Sequence, residues 1–191
     1  MNHEVELWET VQSEELADCR VFRVREKHAR SGNKTGKFYV IENPDWVNVI
    51  AVTKNREVLF IEQFRHGTEE IVLEIPGGMV DDGEAAETAA RRELLEETGY
   101  SANEFVFLGK SRPNPAIQNN WLYHFAAVDA EMTGEVKFDE HESVVSKLYP
   151  LGAIAGLVKS GAVTHSLVLA AFQYFSLSDL KEQRTGLSRI I

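Results

Sequence analysis

Three glutamates lie within a span of five residues, at Glu93, Glu96 and Glu97, in a stretch rich in alanine and leucine. These residue types favour helix, so Glu84 to Thr98 is predicted to be helical, with Gly99 as its C-terminal cap. At 100° per residue the three carboxylates share one arc of that helix. Like charges pressed together repel one another and lose hydration, and a divalent cation relieves both costs. Hard oxygen ligands of this kind suit Mg²⁺ or Mn²⁺.

Small apolar residues fall inside the same arc, at Ala86, Ala89 and Ala90. In an ordinary solvated helix the acids lie opposite the apolar residues, whereas here the two kinds are interleaved. The alternative is an exposed acidic helix whose glutamates pair with Arg91, Arg92 and nearby lysines. The interleaving favours a metal site.

The acidic cluster is part of a longer pattern, G-x5-E-x7-R-E-x-x-E-E-x-G-hydrophobic, which runs from Gly78 to Tyr100. Its specified letters are Gly78, Glu84, Arg92, Glu93, Glu96, Glu97 and Gly99, and its hydrophobic positions are Leu94 and Tyr100. The pattern resembles the Nudix box, the signature of hydrolases acting on a nucleoside diphosphate linked to another group. The resemblance implies that Glu84 and Arg92 form an ion pair that fixes the loop on the helix.

The resemblance also implies a fold and a metal site. The fold is of the α/β (α+β) class, a Nudix-type α/β/α sandwich with a mixed sheet, in which the box forms a loop, a helix and a second loop. Glu93 and Glu97 would hold catalytic divalent cations together with the main-chain carbonyl of Gly77, and Glu96 would lie close by. Such metals neutralise and orient a diphosphate and activate a water.

Sequence on both sides of the box resembles the ADP-ribose and nucleotide-sugar pyrophosphatase subfamily. Gln63–Arg65, followed by Glu74–Gly78, is similar to its strand-and-loop sequence, and Pro115 lies fifteen residues beyond Tyr100, where the subfamily carries a marker proline. The resemblance implies that Arg65 contacts the diphosphate, for which a guanidinium fork is suited. The ordinary alternatives are an exposed strand arginine and a simple loop proline.

Two further sets of residues are candidates for the substrate site. Trp46, at the start of a strand, is either a base-stacking platform or a core residue. The acidic stretch 138–144 resembles the catalytic loop of ADP-ribose pyrophosphatases, which implies that Glu140 orients or deprotonates the attacking water. Glu142 would then be an accessory metal or water contact, and a solvated acidic turn is the alternative. His165 is expected to be exposed rather than catalytic.

Strands are predicted to dominate the first two-thirds of the chain, and two helices to close it. The predicted strands are Cys19–Arg25, Phe38–Ile41, Trp46–Thr53, Val58–Ile61, Ile71–Ile75, Phe105–Leu108, Trp121–Val128 and Ser143–Tyr149, and the closing helices are Leu151–Lys159 and His165–Phe175. We expect residues 1–44 to form an antiparallel β extension and residues 45–191 the Nudix domain. The resemblance implies that the extension forms the interface of a homodimer.

The charge balance and cysteine content restrict the functional class. There are 20 Lys+Arg against 30 Asp+Glu, a formal net charge of −10, which argues against a general nucleic-acid binder. The single cysteine, Cys19, excludes an intramolecular disulfide and a thiolate metal cage. The N-terminus is polar and acidic, and we expect no membrane partner and a cytoplasmic location. An acidic surface repels an anionic diphosphate, so metal dependence is expected.

The sequence therefore predicts a Mg²⁺-dependent hydrolase that cleaves the pyrophosphate bond of ADP-ribose or a related nucleoside diphosphate sugar. Its products would be a nucleoside monophosphate and a sugar phosphate. Two alternatives stay open. One is a Nudix hydrolase of another substrate, such as GDP-mannose, a dinucleoside polyphosphate or a nucleoside triphosphate. The other is a non-catalytic nucleotide-sugar sensor on the same fold.

Overall fold

The computed structural model describes residues 5–137 and 143–180. Its contacts divide the chain into two compact units. One unit draws its described residues from 1–44 and 112–121, and the other from 45–111 and 122–180.

The first unit contains a three-stranded antiparallel sheet of β1 (Glu9–Asp18), β2 (Arg23–Ser31) and β3 (Lys34–Glu42), in that order. The predicted hairpin is confirmed as β2 and β3, and its tip contains Gly32 at φ 55°. The predicted start at Cys19 is wrong, because the Cys19 N–H donates to the Phe22 carbonyl at 2.9 Å in a turn between β1 and β2. β1 was not predicted from the sequence, since all ten of its residues are exposed and its sequence lacks an apolar alternation.

Residues 112–121 join the end of β3 in this first unit. Ile41 bridges to Gln118, and the Ile41 N–H donates to the Ile117 carbonyl at 2.8 Å. The Asn43 N–H donates to Asn119 Oδ1 at 3.0 Å. This loop, although remote in sequence, is therefore built onto the N-terminal sheet.

The second unit contains a mixed sheet. Its strands are β4 (Trp46–Thr53), β5 (Glu57–Arg65), β6 (Glu70–Glu74), β7 (Gly77–Met79), β8 (Tyr100–Ser101), β9 (Glu104–Ser111), β10 (Leu122–Met132) and β11 (Val144–Pro150). The main path runs β11-β5-β4-β10-β8, with β6 on β5, β7 on β4 and β9 on β10. β4 and β10 are parallel and the other pairs are antiparallel. β7 and β8 were missed because strands of three and two residues carry no periodicity.

In the described part of the chain three helices cover the sheet: α1 (Ala86–Thr98), α2 (Ile154–Lys159), which follows a 3₁₀ turn at Leu151–Ala153, and α3 (Ser166–Leu177). α1 ends where predicted, since Gly99 has φ 73° and its N–H donates to the Leu95 carbonyl at 2.8 Å. Among the helices of the described ranges, none is long and apolar enough to cross a membrane.

The alternation of side chains along β4 creates two cores on opposite faces of the sheet. Val47 and Val49 pack in one core with Leu94 of α1. Ile50 packs in the other core with Phe172 of α3. A mixed sheet between α1 on one face and α2 and α3 on the other confirms the predicted α/β/α sandwich.

Candidate metal and diphosphate site

The candidate site contains two glycines of β7, and their lack of a side chain lets this strand lie close to its neighbours. β7 pairs with β4 so that Gly77 is opposite Asn48 and Gly78 opposite Val47. A Cβ atom at Gly77 would collide with the main chain of β4, and one at Gly78 would collide with the carboxylate of Glu93. Glycine is therefore required at Gly77, where the collision is with the main chain, whereas a side chain at Gly78 would displace the Glu93 carboxylate.

Two carboxylates of α1 reach the main chain of this loop. Glu97 is 5% exposed, and its Oε2 accepts a hydrogen bond from the Gly77 N–H at 2.9 Å. The Glu93 side chain is 16% exposed and its carboxylate lies against Gly78. The helix thus delivers both predicted metal ligands to the Gly77–Gly78 segment, and one of them is almost fully removed from water.

Arg92 joins the loop to the helix through several oxygen atoms. Its Nη2 donates to Glu84 Oε2 at 2.9 Å and to the Met79 carbonyl at 3.0 Å. Its Nη1 donates to Glu93 Oε1 at 2.7 Å and to Glu96 Oε2 at 3.3 Å. The expected Glu84–Arg92 ion pair is therefore present. The hydrogen bond from Arg92 lowers the pKa of Glu84, and the same bond raises the pKa of Arg92.

The chemistry of these donors fits a hard divalent cation. Glu93, Glu96 and Glu97 offer carboxylate oxygens beside the main chain of Gly77, and oxygen donors are what Mg²⁺ and Mn²⁺ prefer. As the side chains lie, Glu93 and Glu96 hold the Arg92 guanidinium. Within residues 5–137 and 143–180, no three acidic, histidine or cysteine side chains are grouped closely enough to hold a metal ion.

Arg65, the predicted diphosphate contact, forms a two-pronged ion pair. Its Nε donates to Glu74 Oε1 at 2.7 Å and its Nη2 to Glu74 Oε2 at 2.8 Å. Glu74 is 4% exposed, whereas 42% of the Arg65 side chain is exposed. Sequence reasoning missed the role of Glu74, although a charged residue within the apolar run 71–75 was a usable signal. His165 is half-buried rather than exposed, with its Nε2 4.0 Å from Glu74 Oε2.

The remaining candidates differ in where the structure places them. Trp46 is half-buried at the first position of β4, opposite Met79 of β7 and Leu122 of β10. Pro115 is exposed and belongs to the unit of the N-terminal sheet. Glu140 and Glu142 lie outside the described residues.

A buried polar network, which the sequence did not reveal, occupies the opposite face of β4. Asn48 Nδ2 donates to the Leu167 carbonyl at 3.1 Å, so its Oδ1 accepts from His124 Nδ1 at 2.8 Å. His124 Nε2 then accepts from the Ser111 hydroxyl at 2.9 Å, and the Tyr174 ring stacks on the imidazole with centroids 4.9 Å apart. Burial lowers the pKa of His124 to about 4, so the ring is neutral near pH 7.

Comparison with known proteins agrees with this geometry. The chain is 29% identical over 172 residues to the ADP-ribose pyrophosphatase of Bacillus subtilis (strain 168), covering 89% of this chain and 93% of that protein. It is 28% identical over 149 residues to the ADP compounds hydrolase NudE of Escherichia coli (strain K12), covering 76% and 79%. A crystal structure of an ADP compounds hydrolase has the same fold, with a TM-score of 0.83 at 23% identity, covering 95% of this chain and 98% of that one. The model of the NUDIX domain matches residues 43–172, and the chain therefore belongs to the NUDIX family, as the box predicted.

Proposed function

We propose that this chain catalyses the Mg²⁺-dependent hydrolysis of ADP-ribose or a related nucleoside diphosphate sugar to a nucleoside monophosphate and a sugar phosphate. The observation that carries the proposal is the convergence of Glu93 and Glu97 on the main chain of Gly77 and Gly78. The relatives support the substrate class, because the Bacillus subtilis protein is an ADP-ribose pyrophosphatase and the Escherichia coli protein an ADP compounds hydrolase.

The metal-binding residues would be Glu93, Glu96, Glu97, the main chain at Gly77, and Glu142. When bound, a divalent cation neutralises the diphosphate, orients it and activates a water; Mn²⁺ is a possible substitute for Mg²⁺. The protein orients its own ligands beforehand, since the Gly77 N–H holds one oxygen of Glu97 and the Gly78 main chain confines Glu93. This arrangement reduces the reorganisation required during the reaction.

The remaining candidate residues would act on the substrate or on the attacking water. Arg65 would contact the diphosphate with a guanidinium that Glu74 already orients. Glu140 would orient or deprotonate the attacking water, as the family resemblance of the acidic stretch 138–144 implies. Trp46, an aromatic residue at the start of a strand, would stack on the base. Pro115 would contribute to the substrate site, as the family resemblance implies.

A substrate panel with product identification tests this proposal. ADP-ribose, GDP-mannose, a dinucleoside polyphosphate and nucleoside triphosphates are incubated with the purified chain, with Mg²⁺, with Mn²⁺ and with EDTA. We expect ADP-ribose to give AMP and ribose 5-phosphate with either metal and no products with EDTA. Faster cleavage of another panel member would overturn the substrate assignment. Tight ADP-ribose binding without cleavage would favour a sensor instead.

We also propose that the chain is a cytoplasmic homodimer, with the sheet β1–β3 at the interface. β1 pairs with β2 alone among the described strands, which makes it an edge strand open to pairing with another chain. Large apolar residues with at least half of their surface exposed support an interface here: Val5, Leu7, Val11, Leu16, Val21 and Tyr39. Light scattering after size-exclusion chromatography tests the dimer, and a monomeric mass would contradict it. Cell fractionation tests the location.

A further inference from the structure

Glu74 is a buried carboxylate in the described part of the chain whose chemical purpose the Nudix box does not explain. It is 4% exposed and lies between two core residues, Leu73 and Ile75. Burying a carboxylate is costly unless it is paired and hydrogen-bonded. Both of its oxygens accept hydrogen bonds from Arg65, so the pairing is complete and geometrically specific.

The position of Glu74 in the hairpin determines where the Arg65 guanidinium lies. Arg65 is the last residue of β5 and is opposite Glu70, whereas Glu74 is the last residue of β6 and is opposite Ile61. The Arg65 side chain therefore reaches back along the hairpin, away from its own backbone partner. Glu74 is three residues before Gly77, so their Cα atoms are at most about 11 Å apart. The pair thus lies next to the glycine loop along the chain.

This ion pair does not have the character of a purely stabilising contact. Replacing a buried ion pair with apolar residues is often neutral or stabilising, so stability alone is a weak reason to keep one. Its arginine half is 42% exposed, which leaves the guanidinium within reach of a ligand. The imidazole of His165 lies beside the same carboxylate, with its Nε2 4.0 Å from Glu74 Oε2. The carboxylate is therefore buried beside a guanidinium and an imidazole, whereas the arginine side chain is partly exposed.

We propose that Glu74 is a positioning residue that holds Arg65 in the orientation in which it binds the substrate diphosphate; this rests on the proposed function. An arginine side chain has much rotamer entropy, which must otherwise be lost when the substrate binds. The fork with Glu74 removes that freedom in advance and so favours binding. Glu74 does not touch the substrate itself.

The test compares R65A, E74Q and the double variant R65A/E74Q by steady-state kinetics and by calorimetric titration with ADP-ribose. We expect R65A to raise KM and Kd by roughly 100-fold and E74Q by roughly tenfold, with kcat changed less than KM, since the contact is made in the ground state as well. We expect the double variant to be no worse than R65A, because Glu74 acts only through Arg65. The matched control is E62Q, which breaks the Glu62–Lys147 ion pair (2.6 Å) on the same strand and should leave KM unchanged.

The outcomes separate this inference from the proposed function. Wild-type KM and Kd for E74Q, with both raised in R65A, would overturn the positioning role, and so would an additive loss in the double variant. An R65A variant with unchanged KM and Kd would overturn it as well. If the wild-type chain binds ADP-ribose without cleaving it, the proposed function fails, whereas the Kd series still decides the role of Glu74. Circular dichroism checks that each variant is folded. If E74Q is unfolded, E74D and R65K replace it. A raised Kd is expected for R65K because lysine lacks the fork.

Discussion

The two faces of β4 carry polar groups of opposite character. On the α3 face, Asn48, His124 and Ser111 form a neutral network in which each donor meets an acceptor. On the α1 face, the charged carboxylates of Glu93 and Glu97 lie against the glycine loop. The same short segment of β4 contributes to both faces, because Asn48 belongs to the network and is also the register partner of Gly77.

The difference lies in whether the protein satisfies its own polar groups. On the α3 face the network is complete within the protein, and such networks rigidify a core without requiring a ligand. On the α1 face a single guanidinium, that of Arg92, contacts four carboxylates: it lies within hydrogen-bond distance of those of Glu84, Glu93 and Glu96 and 3.9 Å from that of Asp81. One positive charge against four negative charges is an arrangement that additional cations stabilise. The α3 face, called here the neutral face, is therefore interpreted as structural, and the α1 face, called the charged face, as functional. Each of the following predictions tests that division.

The largest effect is expected from E97Q on the charged face. A glutamine of the same size keeps the shape but removes the charge that a divalent cation needs, at a cost of several kcal/mol in the transition state. We expect kcat to fall by roughly 10³-fold while the melting temperature changes little. Steady-state kinetics with ADP-ribose and a thermal melt measure the two quantities.

The matched control for this variant lies on the same helix. Glu87 pairs with Arg91 at 2.9 Å on the exposed side of α1, so E87Q makes the same chemical change away from the glycine loop. We expect its kcat to be that of the wild type. Near-wild-type turnover in E97Q, or an equal loss in E87Q, would contradict the assignment of the charged face as the functional one.

The next effect concerns the neutral face and depends on pH. The pKa of His124 is about 4 in the folded protein and about 6.5 when unfolded, so the unfolded chain binds more protons between these values. Stability from this residue is fully present above pH 6.5 and is lost as the pH falls towards 4, by about 3 kcal/mol. H124Q keeps a donor and an acceptor but does not titrate. Denaturant unfolding should therefore show a shallower fall in its free energy of unfolding between pH 6.5 and 4.

H66Q, at an exposed histidine, is the control for this measurement and should keep the wild-type pH dependence. If H124Q loses stability over this pH range as steeply as the wild type, His124 is not a neutral buried member of the network.

A smaller effect is expected from R92A on the charged face. The guanidinium is 28% exposed and bonds three carboxylates, so its removal should lower the free energy of unfolding by about 2 kcal/mol. Millimolar Mg²⁺ should recover part of this loss, because a cation at the same carboxylates replaces the missing charge. R91A removes a neighbouring arginine that pairs with Glu87, and its loss of stability should not respond to Mg²⁺. Equal Mg²⁺ responses in the two variants would contradict the charge argument.

The charged face could be predicted from sequence, whereas the neutral face could not. The carboxylates of α1 follow a local pattern with fixed spacing, and local spacing on a helix determines which side chains share a face. The network of Asn48 and His124 joins residues 76 positions apart, and no local periodicity reveals such a pair. The partner of Arg65 was missed for a similar reason, since Glu74 is nine residues away across a hairpin whose register the sequence did not determine.

The strands of the fold also differ in whether the sequence could predict them. Buried strands such as β4, with a β-branched apolar sequence, were predicted with correct bounds. β1 is exposed at every position, and its pairing with β2 depends on main-chain bonds that any sequence can form. A buried strand therefore has an apolar pattern from which it can be predicted, whereas a strand held only by main-chain pairing has no such pattern.

The smallest effect is expected from S111A at the edge of the neutral network. The Ser111 hydroxyl donates to His124 Nε2 at 2.9 Å, so the variant leaves one buried acceptor without that donor at a cost of about 1 kcal/mol. S160A removes an exposed hydroxyl that bonds the Leu157 carbonyl at 3.1 Å, and should cost less. Because the network completes itself within the protein, S111A should leave both kcat and the Mg²⁺ dependence of stability unchanged. A change in kcat that exceeds the change in the free energy of unfolding would mean that the neutral face, through Asn48 and its register partner Gly77, acts on the chemistry as well.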